Sequence, residues 1–133
     1  DYQLLFKGSQ SGSYLTVEKK EGSSVPVLVW KITEYDEARL DRYEGYPTFY
    51  YKDTMNVEVF SLLGDVSLGR VDATIYIMHE ERKLGMPSLH YYEVCLDGYA
   101  HFGFDPGFLE NALTDSVGKR YASKLLKEVG LNE

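Results

Sequence analysis

Glu44 is the side chain of this sequence best placed to do chemistry. It lies near the end of the stretch 32–47, whose pattern predicts a short helix over 34–44. Thr33, with Asp36 three residues later, has the form of a helix start: a side-chain oxygen caps free backbone amides and an acid sits in the positive first turn. Gly45 supplies a left-handed stop and Pro47 follows closely. Glu44 breaks the usual design, because an acid in the last turn faces the negative end of the helix dipole, where Lys or Arg is favoured. That position predicts a raised pKa, which suits a general acid or base near neutral pH. The plainer alternative is a solvated acid at a helix end.

Other reactive side chains carry weaker signals. Twelve tyrosines are many for 133 residues, and they gather at 43–51 and 91–99. Such clusters suit a cleft wall as well as strand surfaces, and a carbohydrate- or peptide-binding groove would use the same residues. His79-Glu80-Glu81-Arg82 lacks the second histidine of a His-Glu-x-x-His zinc motif, since Lys83 stands in its place. His90 and His101 are too scattered for a metal site and read as structural or surface histidines. Cys95, the single cysteine, falls in the apolar phase of a helix and reads as a small core residue.

The elements that must position these residues follow from periodicity. Residues 2–6 and 13–19 read as strands joined by the loop Gly8-Ser9-Gln10-Ser11-Gly12-Ser13, with a turn over 20–24. Residues 25–32 are nearly all apolar and include Trp30, which predicts a central strand covered on both faces, with Pro26 tolerated near its start. After the helix at 34–44 come a long strand over 50–60, a turn or irregular hairpin over 62–69 and a partner strand over 70–78. Residues 88–103 predict a helix stopped by Gly103, and Phe108, Leu109, Ala112 and Leu113 continue at helical spacing. Val117, Tyr121, Leu125 and Val129 recur at fours, predicting an amphipathic terminal helix that packs on the domain or on a partner chain. Strands dominate the first 80 residues and helices the rest, so the class is α+β.

Composition excludes several functions. The length suits one domain with a real core. Hydrophobic residues make up 44% and charged residues 26%, as in an ordinary globular protein. A formal net charge of -7 disfavours nucleic acid or an anionic membrane as the main partner. Lys119, Arg120, Lys124 and Lys127 lie beside acids and read as a solvated face. One cysteine allows no internal disulfide, which is compatible with a cytoplasmic location. No run of about 18 apolar residues is present to span a membrane, and no signal peptide is visible.

The block Leu40-Asp41-Arg42-Tyr43-Glu44-Gly45-Tyr46-Pro47, followed by Tyr50, resembles the signature of the gamma-glutamylcyclotransferase family, also called AIG2-like. The likeness extends upstream through Pro26-Val27-Leu28-Val29-Trp30-Lys31-Ile32-Thr33. Downstream it takes in Ala73-Thr74-Ile75-Tyr76-Ile77-Met78, Pro87-Ser88-Leu89-His90-Tyr91 and Gly98-Tyr99-Ala100-His101-Phe102-Gly103-Phe104-Asp105, covering roughly residues 1–113 in order. The resemblance implies a small, mixed, barrel-like sheet flanked by helices, in a single domain with residues 114–133 as a terminal helix outside it. It also implies that Glu44 is the catalytic acid/base, that Tyr50 lines the site, with Tyr51 taking that role if the loop register slips, and that Tyr91 is a further substrate-binding candidate. The competing readings are an aromatic opening a strand for Tyr50 and packing on a helix face for Tyr91.

The family reaction releases 5-oxoproline from gamma-glutamyl amines or dipeptides by internal cyclisation, and it needs no metal, nucleotide or other cofactor. The implied partner is therefore a small gamma-glutamyl molecule, with a homodimer left open. Glutathione, gamma-glutamyl amino acids and gamma-glutamyl-lysine crosslinks are the candidate substrates. Two departures from the family stand out. The opening strand and its Tyr-Gly-Ser-Asn-type turn are absent, because Asp1-Tyr2-Gln3-Leu4-Leu5-Phe6 resembles the family's second core strand. By that analogy about three dozen residues and the first strand are missing, a sheet edge is left uncovered, and activity is expected of an intact parent protein. Val27 stands where the family often has glycine. A non-catalytic binding domain of the same fold is the alternative reading, and a regulatory role carried by the terminal helix is a third.

Overall fold

The computed structural model describes residues 1–9 and 11–132; Gln10, in the expected Gly/Ser loop, lies outside the described residues. Its elements run β1 (Tyr2–Ser9), β2 (Gly12–Lys19), α1 (Glu34–Tyr43), β3 (Tyr50–Phe60), β4 (Ser67–Met78), β5 (Lys83–Leu84), α2 (Leu89–Phe102), α3 (Gly107–Val117) and α4 (Lys119–Asn132). This is the α+β class expected, consistent with the cyclotransferase-like fold. Contacts divide the chain into two compact units, one of residues 1–26 with 80–133 and one of residues 27–79.

The first unit is built on a hydrophobic core. β1 pairs antiparallel with β2 from Tyr2↔Lys19 to Ser9↔Gly12, and with the two-residue β5 at Lys7↔Leu84 and Gly8↔Lys83. Gly8 is required there, because a Cβ would sit 2.0 Å from the Gly12 carbonyl oxygen. Phe6, Tyr92, Leu109, Ala112, Leu113, Ala122, Leu125 and Val129 form one buried cluster. Ser116 ties α3 to β1: its hydroxyl accepts from the Phe6 amide at 2.8 Å and donates to the Ala112 carbonyl at 2.7 Å. Ser88 caps α2, and Gly103 ends it at φ 71, where the sequence predicts a stop.

Among the described side chains of α4, Ala122, Leu125 and Val129 are buried, while Tyr121 is 59% exposed. The expected row starting at Val117 fails because α3 ends at Val117 and α4 begins after Gly118, so the two helices share no common phase. Lys119, Arg120, Lys124 and Lys127 are exposed, as a solvated face requires. Cys95 is partly buried against the core, and burial pushes its thiol up.

The second unit is a two-stranded antiparallel ribbon carrying one helix. β3 and β4 pair from Tyr50↔Met78 to Phe60↔Ser67, with an irregularity at Val59/Phe60. Residues 25–32, expected as a central strand, make no strand ladder. Trp30 is 70% exposed, and Val27, Val29 and Ile32 are exposed too. Apolar composition therefore overstated this segment: a strand needs a hydrogen-bonded neighbour as well as hydrophobic side chains. The described strands accordingly form a three-stranded sheet, β2-β1-β5, and a two-stranded sheet, β3-β4, neither closed into a barrel. Every pairing in them is antiparallel, so the mixed, barrel-like single sheet is not what these strands build.

Candidate active site

Local sequence builds the helix that ends at Glu44. The Thr33 hydroxyl accepts from the Asp36 amide at 3.1 Å, and the Asp36 carboxylate accepts from the Thr33 amide at 3.2 Å, a reciprocal capping box. Glu34, Asp36 and Glu37 place three acids in the first turn, where the helix dipole favours them. At the other end Glu44 is the C-cap, its amide donating to the Leu40 carbonyl at 2.8 Å. Gly45 then turns at φ 67, and the Tyr46 amide closes on the Asp41 carbonyl at 2.8 Å. That left-handed turn is closed to ordinary side chains, and a Cβ on Gly45 would also meet Phe49 Cβ at 3.2 Å.

Glu44 is half-buried, and burial pushes its carboxyl above the ordinary range. The direction is the one its helix position predicts, and burial of the carboxyl is a cause of it. No described residue of its unit donates a hydrogen bond to that carboxylate. One turn earlier on the same helix, Asp41 has the opposite character. The Tyr76 hydroxyl donates to its carboxylate, Lys52 Nζ lies 3.0 Å from its Oδ1, and together they hold Asp41 below the usual carboxylate range.

Lys52 joins several groups at once. Its ammonium is 2.8 Å from Glu37 Oε2, 3.1 Å from Asp41 Oδ2 and 4.4 Å from the centroid of the Tyr46 ring. The two carboxylates raise the lysine pKa, which keeps it charged. Tyr76 is pushed up to about 12, by desolvation first and by its bond to Asp41 second, so its hydroxyl stays a donor.

Strand alternation separates the two tyrosine candidates. Tyr50, Lys52, Tyr76 and Met78 share one face of the ribbon, and it is from this face that Lys52 and Tyr76 reach α1. Tyr50 thus lies on the face that carries the helix; it is buried, with the Phe49 ring 5.3 Å away. Tyr51 points to the opposite face, where its ring stands 5.2 Å from His79. His79 in turn secures the loop after Glu44. Its Nε2 donates to the Pro47 carbonyl at 2.7 Å, since a carbonyl can only accept, and its amide donates to the Phe49 carbonyl at 3.2 Å. The Tyr46–Pro47 peptide within this loop is cis.

Tyr91 belongs to the first unit. Its hydroxyl accepts from the Leu15 amide at 3.1 Å, and its ring meets those of Phe6 and Tyr14 edge-on at 6.5 and 5.1 Å. These contacts match the helix-face packing that the sequence offers as its alternative role. Lys52, Tyr76 and His79 carry no local signal that would mark them, because their partners are 11, 35 and 32 residues away. The acids at 37 and 41, spaced to share a helix face, are the one hint that a cation is needed opposite.

The second unit also contains an apolar groove of about 510 Å³, lined by Val27, Trp30, Ile32, Met55, Val71 and Ile75 among others. Val27 thus lines a groove wall. Glu44 and Tyr50 are not part of that lining.

A family model described as gamma-glutamyl cyclotransferase, AIG2-like, matches residues 1–93. The chain belongs to this family. Membership supports a gamma-glutamyl cyclotransferase-like function in general terms. The match takes in Glu44, Tyr50, Tyr51 and Tyr91 and ends inside α2, short of the residue 113 expected from the sequence; α3 and α4 lie beyond it. No curated protein and no solved structure matches the chain. No helix among the described residues is long and apolar enough to cross a membrane.

Proposed function

We propose that this protein releases 5-oxoproline from gamma-glutamyl amines or dipeptides, with Glu44 as the acid/base. The substrate's own α-amine attacks its γ-carbonyl carbon, forming the ring C–N bond, and the γ-amide C–N bond breaks to free the amine. The nucleophile is tethered to its target, so much of the entropic cost is prepaid. The obstacle is the α-ammonium proton. Two protons must leave that nitrogen before it becomes the lactam N–H. Glu44 as carboxylate takes one before attack and one from the ring nitrogen after it, passing each in turn to the departing nitrogen. That nitrogen leaves as an ammonium, so Glu44 ends each turnover as it began.

The observation that carries this reading is the state of Glu44: a half-buried carboxyl, raised by desolvation, at the Glu-Gly turn of a family-matched block. Tyr50, on the face of the ribbon that carries α1, is the favoured substrate-lining tyrosine, ahead of Tyr51 and Tyr91. We propose no metal or cofactor, a small gamma-glutamyl molecule as partner and a cytoplasmic setting.

The test is 5-oxoproline release by the full-length protein from glutathione, gamma-glutamyl amino acids and gamma-glutamyl-lysine. Glu44→Gln is expected to lower turnover by about 10²–10⁴-fold, the usual contribution of a positioned acid/base. Full turnover in that variant would refute the role of Glu44. A second reading, a binding domain of the same fold, is favoured by the apolar groove beside Trp30. Its mark would be ligand binding by a folded protein that releases no product from any substrate, unchanged in Glu44→Gln.

A further inference from the structure

The geometry points to Lys52 as a positioning residue for Glu44: by gripping α1 before the Glu44–Gly45 turn and the Tyr46 ring after it, Lys52 sets where the acid/base stands. The proposal rests on the cyclotransferase reading of Glu44.

Glu37, Asp41 and Glu44 follow one another at i, i+4 and i+7, and so lie in one row along α1. Lys52 holds the first two members of that row, at 2.8 and 3.0 Å, leaving the third without an ion pair among the described residues. Its ammonium also lies 4.4 Å from the Tyr46 ring centroid, two residues beyond Glu44. The backbone between these holds is short and closed on itself, because the Tyr46 amide donates to the carbonyl of Asp41, whose carboxylate Lys52 grips. Tyr76 adds a hold from β4 through its hydroxyl on Asp41.

This arrangement matters because α1 leans little on burial. It contains no buried residue, so packing does not fix its position. Each of these part-exposed ion pairs is a modest source of stability. As a set of directional contacts on a turn of three residues, they act instead on geometry, to which an intramolecular reaction is sensitive. Lys52 makes no ion pair with Glu44, so its influence passes through the backbone. It neither neutralises the acid nor needs to touch substrate.

Two variants of the full chain test the idea, read by steady-state 5-oxoproline release and by amide hydrogen exchange. Lys52→Met is expected to lower kcat by about tenfold or more with KM within about twofold, since it misplaces the acid/base without touching substrate. The same variant is expected to speed exchange of the Glu44, Gly45 and Tyr46 amides by about tenfold while the β3–β4 ladder keeps its protection. Lys52→Gln keeps a polar side chain but removes the charge; it should show the same pattern at about threefold, and it decides the matter if Lys52→Met does not fold. Unchanged exchange at residues 44–46, or faster exchange with unchanged kcat, would overturn the proposal. If the unmodified protein releases no 5-oxoproline from any substrate, the cyclotransferase reading fails on its own. The exchange comparison then still decides whether Lys52 holds the turn.

Discussion

The two compact units of this chain are held together by different physics. The first buries Phe6, Tyr92, Leu109 and Leu113 completely and organises α2, α3 and α4 around them. In the second, Tyr50, Ile77 and Met78 alone are buried among the described residues, and α1 is fastened to the ribbon by Lys52, Glu37, Asp41 and Tyr76. Apolar burial supplies stability in bulk but is non-directional. Charged hydrogen bonds at a surface add little stability, yet they specify distance and angle. The unit rich in the first kind of contact has the core, and the unit rich in the second carries the candidate acid/base.

Truncating matched apolar side chains tests that contrast most severely. Leu109→Ala in the first unit is expected to cost about 2–5 kcal/mol, since it leaves a cavity in a closed core. Val71→Ala in the second should stay within roughly 0.5 kcal/mol, because Val71 is 40% exposed. Urea unfolding of both variants measures this, and equal costs would erase the distinction between the units.

A smaller effect is expected at the helix start. Thr33→Ala removes half of the capping box and should cost about 1 kcal/mol, while leaving the amides of the first unit's core as protected as before. A uniform loss of protection in both units would mean that they do not differ as described.

The finest test lies between two carboxylates of one helix. Asp41 is held below its ordinary 3.8, so it stabilises the fold above that value, and this support is lost as pH falls through 3.8 towards its folded pKa. Glu44 is raised above 4.5, so the fold favours its protonated form, and stability falls as pH rises from 4.5 through its folded pKa. Profiles of melting temperature against pH should therefore change in opposite ways. Asp41→Asn should flatten the acid limb, and Glu44→Gln should remove the decline above pH 4.5. Identical profiles for the two variants would mean that the environments are alike.

Much of the candidate site was legible because its signals are local. The Thr33–Asp36 capping box, the Gly45 turn and the extents of β3 and α2 follow from preferences that act within a few residues, and all appear where the sequence predicts them. The block around Glu44 resembles a family signature that the family match bears out. Local pattern also misled in two places. Residues 25–32 have strand composition but no paired strand in the structure, and Tyr121 sits at helical spacing from Leu125 yet faces out. In both cases the outcome depends on a neighbour that composition does not name.

The sequence alone determined which acid ends which helix, and that a left-handed glycine follows it. Only the tertiary structure decided that desolvation raises Glu44, that Lys52 and Tyr76 hold Asp41 low, and that Tyr50 rather than Tyr51 lies on the face of the ribbon that carries α1. The physical reason is range. Caps and turns are settled by hydrogen bonds between near neighbours in the chain. Burial and ion pairing depend on groups tens of residues away, which only folding brings within reach.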